Sequence, residues 1–248
     1  MSVVDTPIEA DIDAEARRLL GEIERAGLDA RLIGGMAIRL LAGERLHPAF
    51  ARPIHDLDFV VAKRHRRELD ALVVAAGYAP EVEFNALNGA RRLLYRDDHH
   101  GRQIDVFVET FAMCHELPLA ERLRVQPHTL PATDVLMTKL QIVELNAKDR
   151  GDLFALLSST DVELERIAAL TANDWGLQHT FELNLARLRE GLDGLPLAAD
   201  ERAALGRRID AIAAAMDAAP KSRKWKLRAK VGERKRWYDE PEEVDREH

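Results

Sequence analysis

Apolar residues recur along this chain with two spacings, and the change from one to the other divides it. Ile12, Ala16, Leu19, Leu20 and Ile23 follow the helical period and stop at Gly27. Ala30–Ile33 reads as a short buried strand ending at Gly34-Gly35, with a helix from about residue 36 to 43 after it. A loop carrying Pro48 and Pro53 leads to a second strand over residues 56–62. Leu69, Leu72, Val73 and Ala76 then mark one face of a helix closed by Gly77. Residues 78–84 read as a strand. Residues 91–96 and 103–109 read as two strands joined by Asp97-Asp98-His99-His100-Gly101, whose polar residues and closing glycine suit a hairpin. Residues 123–130 read as an edge strand.

From residue 131 the pattern turns helical. Val135, Leu136, Leu140 and Val143 predict one helix, and residues 152–157, 162–170, 175–192 and 200–216 predict four more. The expected fold class is therefore α+β: a small mixed sheet flanked by helices over residues 1–130, a helical domain over 131–219, and a tail over 220–248. No internal repeat is visible. In residues 221–237 nine cations face only Glu233, and Trp225, Leu227, Ala229 and Val231 alternate with charge. That alternation suits a strand, a helix also fits, and a solvated end is the plain expectation. Residues 239–248 are acidic.

Composition narrows the class. The hydrophobic fraction of 46% is enough for a core, and the net charge of −7 argues against a generic nucleic-acid coat. A single cysteine, Cys114, excludes an internal disulfide. No apolar run reaches the roughly 18–20 residues of a membrane span, and the N-terminal residues lack a leader pattern. A cytoplasmic protein with no membrane partner is expected.

The candidate chemistry lies in the first half. Side chains alternate along a strand, so Asp56 and Asp58 share a face, their Cα atoms roughly 6.5–7 Å apart. Two converging carboxylates repel unless a cation lies between them. Gly34-Gly35 at a strand-to-helix turn offers bare N–H groups to an anion. Asp105 is a third acid in an otherwise apolar strand that can pair beside the first two. Three carboxylates and a phosphate-holding turn are what two-metal phosphoryl transfer needs. Lys139 sits on the apolar face of its helix, where an ammonium must snorkel or find an anion, either a triphosphate or an acidic side chain. Asp149 and Asp152 read first as a helix start with an acidic first turn. His55, beside the Asp pair, fits either a phosphate contact or a loop-end polar residue, while the His99-His100 pair and Cys114-His115 read more simply as hairpin-tip and strand residues.

Ile33-Gly34-Gly35-Met36-Ala37-Ile38-Arg39, Asp56-Leu57-Asp58-Phe59, Ile104-Asp105-Val106, Thr138-Lys139-Leu140 and Lys148-Asp149-Arg150-Gly151-Asp152-Leu153 together resemble the DNA polymerase β-like nucleotidyltransferases. Within that superfamily the chain is similar to the bacterial minimal and AbiEii-toxin-like members, over roughly residues 12–160. The resemblance implies a nucleotidyltransferase core in which Asp56, Asp58 and Asp105 hold two Mg²⁺ ions. Gly34, Gly35, Arg39 and Lys139 would meet a nucleoside triphosphate, and Asp105 or Lys139 would assist catalysis. The product side implies an NMP moved to a hydroxyl of RNA, protein or a small molecule, with pyrophosphate released. It also implies a toxin-like role opposed by an antitoxin protein. Met36 stands where many members carry Ser or Thr, and a thioether donates no hydrogen bond. That departure keeps open the alternative of an inactive module of the same fold that binds nucleotide or a protein or RNA partner.

Overall fold

A computed structural model describes residues 8–240; residues 1–7 and the end of the acidic tail from 241 on lie outside the described residues. The molecule is α+β, with a mixed five-stranded sheet and a small two-stranded one. In chain order the elements are α1 (Ile12–Arg25), β1 (Ala30–Ile33), α2 (Gly34–Ala42), β2 (Leu57–Val61), α3 (Arg66–Ala75), β3 (Ala79–Pro80), α4 (Val82–Asn88), β4 (Arg92–Asp97) and β5 (Arg102–Val108). Then follow β6 (Thr110–Ala112), β7 (Glu116–Pro118), α5 (Ala132–Leu140), α6 (Ala147–Ser159), α7 (Leu164–Thr171), α8 (Trp175–Gly191), α9 (Ala199–Ala218) and α10 (Arg223–Val231).

The chain divides into two compact units. Among the described residues, the first holds 8–41, 52–111 and 118–135; the second holds 42–51, 112–117 and 136–240. The first unit contains the main sheet, in the order β1-β2-β5-β4-β3. β2 and β5 run parallel, and the other pairs are antiparallel. Register lines up Ile33, Asp58, Asp105 and Leu94 as one row across four strands. The next row on the same face is Arg31, Val60, Phe107 and Arg92. Tyr95 points to the opposite face, where its hydroxyl donates to Asp70 of α3 at 2.7 Å. The apolar strand runs are therefore buried from both sides, with Leu57, Val60, Val61, Leu94, Tyr95, Ile104 and Val106 all fully covered.

Two segments expected as strands are largely something else. Residues 78–84 contribute only the two-residue β3, because Pro80 cannot donate to a ladder and the chain turns directly into α4. Residues 123–130 form no strand. His128 takes a positive φ of 67° and limits contact with β1 to a single bridge, Leu32 with Thr129.

In the second unit α9 packs against α6, α7 and α8, burying Leu205, Ile209, Ile212 and Met216 as their spacing predicts. The basic segment is a helix, α10, and not a strand: Ser222 caps it by accepting from the Trp225 N–H, and Gly232 ends it. It packs on α8, where Trp225 Nε1 donates to Gln178 Oε1 at 3.0 Å; beyond the helix, Trp237 Nε1 donates to Thr180 Oγ1 of α8 at 3.1 Å. No helix among the described residues is long and apolar enough to cross a membrane.

Candidate functional site

The strand-to-helix turn after β1 is built around one glycine. Gly34 has φ +64°, a conformation that L side chains rarely adopt. A Cβ at Gly34 would also fall inside the carboxylate of Asp58. The glycine therefore lets the turn and the β2 acid occupy adjoining space. Gly35 has a similar role on its other side, since a Cβ there would lie 2.6 Å from Nη2 of Arg52. Met36 is fully buried, so the position after the glycine pair faces the core.

Asp58 and Asp105 are register partners on neighbouring parallel strands. Their Cα atoms are therefore about 4.8 Å apart, and their side chains leave the sheet on one face. Like charges placed directly opposite are destabilising without a cation. Asp56 precedes β2 by one residue, and its charge reaches Asp105. Burial pushes the Asp105 carboxyl up, Arg92 opposes that rise, and the negative charge of Asp56 adds to it; the net direction is upward.

Arg92 is the cation that the structure supplies. Its Nε lies 2.9 Å from Oδ1 and 3.1 Å from Oδ2 of Asp105, and its Nη2 lies 2.5 Å from Oδ2. Among the described residues no three His, Cys, Asp or Glu side chains are arranged to hold a metal ion. Carboxylate oxygens are the donor type that a hard divalent cation takes, but Arg92 engages both oxygens of Asp105 in this structure.

The remaining predicted residues are placed as follows. Arg39 turns to Asp13 of α1, at 2.7 Å, and to the backbone oxygen of Arg52, at 2.7 Å, tying α1, α2 and the loop before β2 together. Lys139 lies in the second unit, where its Nζ is 2.9 Å from Asp149 Oδ1 and 3.1 Å from Asp152 Oδ2. Of the two anions open to it from the sequence, the acidic side chain is the one it meets here. Asp149 is not the N-cap of α6. Asn146 is, accepting from the Asp149 N–H, which leaves the Asp149 carboxylate for the lysine.

Two cations were not singled out from the sequence. Arg52 abuts the glycine turn, and Arg92 meets Asp105. Neither belongs to a motif, and only the strand register reveals that Arg92 shares a face with the acids.

The hairpin-tip reading of His99-His100 agrees with their surroundings, whereas Cys114 and His115 lie in the bend between β6 and β7 and not in a strand. At the hairpin tip, burial raises the Asp97 carboxyl, but hydrogen bonds from His100 and His99 outweigh it and hold it below its ordinary value. His100 Nδ1 is 2.6 Å from Asp97 Oδ2. His115 is buried, 2.8 Å from Thr180 Oγ1, and burial lowers its pKa. Burial raises the Cys114 thiol, so neither behaves as half of a reactive dyad. No protein-family model matches the chain, and no curated protein matches it.

Proposed function

We propose that the chain is a Mg²⁺-dependent nucleotidyltransferase that moves an NMP from an NTP to a hydroxyl acceptor. The observation that supports this most is the packing of the Gly34 turn against Asp58, with Asp105 as register partner of Asp58. A turn able to accept phosphate beside paired carboxylates, of which Asp105 is buried, is costly to the fold and useful for phosphoryl chemistry.

In this reading Asp56, Asp58 and Asp105 would hold the metal, which would supply positive charge to the triphosphate and the α-phosphorus. The backbone N–H groups at Gly34 and Gly35 orient the phosphates, and Arg52 adds positive charge beside them. Asp105 takes the proton of the acceptor hydroxyl as the acceptor oxygen bonds to the α-phosphorus. The bond from that phosphorus to the bridging oxygen breaks, and pyrophosphate leaves. RNA, a protein hydroxyl and a small molecule all fit as acceptors, and an antitoxin partner belongs to the same reading.

A second reading is favoured by one observation. Arg92 already engages Asp105, as expected of a nucleotidyltransferase-like fold that binds nucleotide or a partner without turnover. Incubation with Mg²⁺ and each α-labelled NTP, with total RNA, lysate protein or aminoglycosides as acceptors, separates the two. Label transfer abolished by Asp58→Asn is expected. Nucleotide binding with no transfer to any acceptor would establish the second reading instead.

A further inference from the structure

The segment after α9 concentrates positive charge. Residues 221–237 carry nine cations against one acid, in a chain whose net charge is −7. Five of those cations lie in α10, which holds no acidic residue. Their spacing sets cation against cation. Arg223 with Lys226, Lys224 with Arg228, and Lys226 with Lys230 are neighbours on the helix surface, where like charges repel. Arg223 and Lys224 also stand in the first turn, where the helix dipole disfavours positive charge. A helix this short and this charged is not stable by its own sequence.

The inward side of α10 explains why it forms. Ser222 caps it, and Trp225 is held to Gln178 of α8. Arg228 lies 4.8 Å from the ring centroid of Trp175 and donates to the Gly232 oxygen at 2.6 Å. Lys221 and Arg234 turn back to the backbone oxygens of Met216 and Lys230, and Arg236 pairs with Glu240. The other five cations do none of this. The side chains of Arg223, Lys224, Lys226, Lys230 and Lys235 are exposed, and among the described residues they have no hydrogen bond or ion pair. Arg223, Lys226 and Lys230 share one face of the helix, turned away from Trp225 and Arg228.

A fixed row of unpaired cations favours a polyanion whose charges repeat. Neighbours on the row are about 5–6 Å apart, and a duplex offers a phosphate on each strand about every 3.4 Å of axis, so the row can reach several phosphates at once. Other anionic surfaces fit less well. The large apolar side chains that α10 exposes are Leu227 and Val231, too small a face to seat a helix in lipid. The aromatic rings are engaged elsewhere: Lys221 covers Trp225 at 5.5 Å, and Trp237 meets His179 edge-on at 4.9 Å. That leaves neither an aromatic anchor for a protein partner nor a platform for stacked bases.

We propose that α10 and the turn after it bind the phosphate backbone of double-stranded nucleic acid without reading base sequence. The helix is already formed on α8, so its cations are in place when the duplex arrives. The proposal is independent of the transferase reading, whose acids belong to the first unit.

The test is fluorescence anisotropy of labelled random-sequence duplexes, one of RNA and one of DNA, and of a single strand, titrated with the full chain. Both duplexes should bind in the micromolar range at low salt, and the single strand no more tightly. Affinity for duplex should fall roughly a hundredfold between about 50 and about 200 mM salt, as for about four neutralised phosphates. Arg223→Gln, Lys226→Gln and Lys230→Gln should each lower the salt slope by about one. The triple variant should lose most of the binding while its Tm holds or rises, because repelling charges are gone. Leu227→Gln should bind as wild type does. If the triple variant does not fold, the slopes of the single variants decide the matter. Absence of duplex binding at low salt overturns the proposal, and so does binding that the folded triple variant retains. Preference for the single strand, or affinity that follows base sequence, overturns recognition through the backbone. Binding to phosphatidylserine vesicles in place of duplex, lost in Leu227→Gln, would make α10 a membrane-surface helix instead. Binding to polyglutamate in place of duplex would make it a site for an acidic protein. Each of these outcomes leaves the transferase reading to its own test, label transfer abolished by Asp58→Asn.

Discussion

Single residues carry opposite kinds of constraint here. Gly34 is constrained by backbone and space at once, so Gly34→Ala should cost about 2–4 kcal/mol, from the left-handed φ and the overlap with Asp58. Urea denaturation measures this, and the slope of the transition should stay unchanged. Lys139 is constrained by charge. Removing its ammonium leaves Asp149 and Asp152 facing each other while nearly buried, so Lys139→Met should destabilise the protein by about 3–5 kcal/mol. Adding Asp149→Asn and Asp152→Asn should restore much of that stability. Label transfer that stays lost in the restored triple variant would assign Lys139 a role on the phosphates. Transfer that returns would make the lysine purely structural.

At the scale of elements, α1 is fastened by a buried acid. Glu15 is fully covered and accepts from Arg18, from the Glu9 N–H and from the Tyr78 hydroxyl at 2.8 Å. Burial alone would raise its pKa, but these hydrogen bonds outweigh burial and leave it below its ordinary 4.5. A lowered folded pKa means stabilisation that is complete above the unfolded value and fades as pH falls through the folded one. The stability gap between wild type and Glu15→Gln, read from denaturant curves, should therefore be flat near neutrality and narrow progressively in acid below that ordinary value. At the other end of the chain, α10 depends on Ser222 for its start. Ser222→Ala should cost about 1 kcal/mol, with helix loss confined to that segment in hydrogen exchange.

At the scale of the whole molecule, the final segment completes the second unit. Trp237 lies against Gly176, where any Cβ would meet its backbone oxygen at 2.5 Å, and the Asp239 N–H donates to the Cys114 oxygen at 3.0 Å. Cutting the chain after residue 220 removes these contacts and uncovers Trp175 and His179, which stack at 4.8 Å. The shortened chain should melt several degrees lower, about 2–4 °C for each kcal/mol lost.

Hydrophobic periodicity by itself determined the α+β class, the sheet's central strands and the helices other than α4 and α10, because those segments bury one or both faces and must repeat apolar residues to do so. Asp56, Asp58, Asp105 and the glycine pair stood out for the same reason: acids and glycines are conspicuous in apolar runs. What only the tertiary structure decided was pairing. The sequence left Lys139 with two kinds of anion, and folding brought Asp149 and Asp152 to it. Arg39 went to Asp13, residues 223–231 became a helix on α8, and Arg92 reached Asp105 by a diagonal step between strands. A charged side chain takes whichever partner the fold brings near, and that depends on how separate segments pack against one another, which the apolar period of any one segment leaves open.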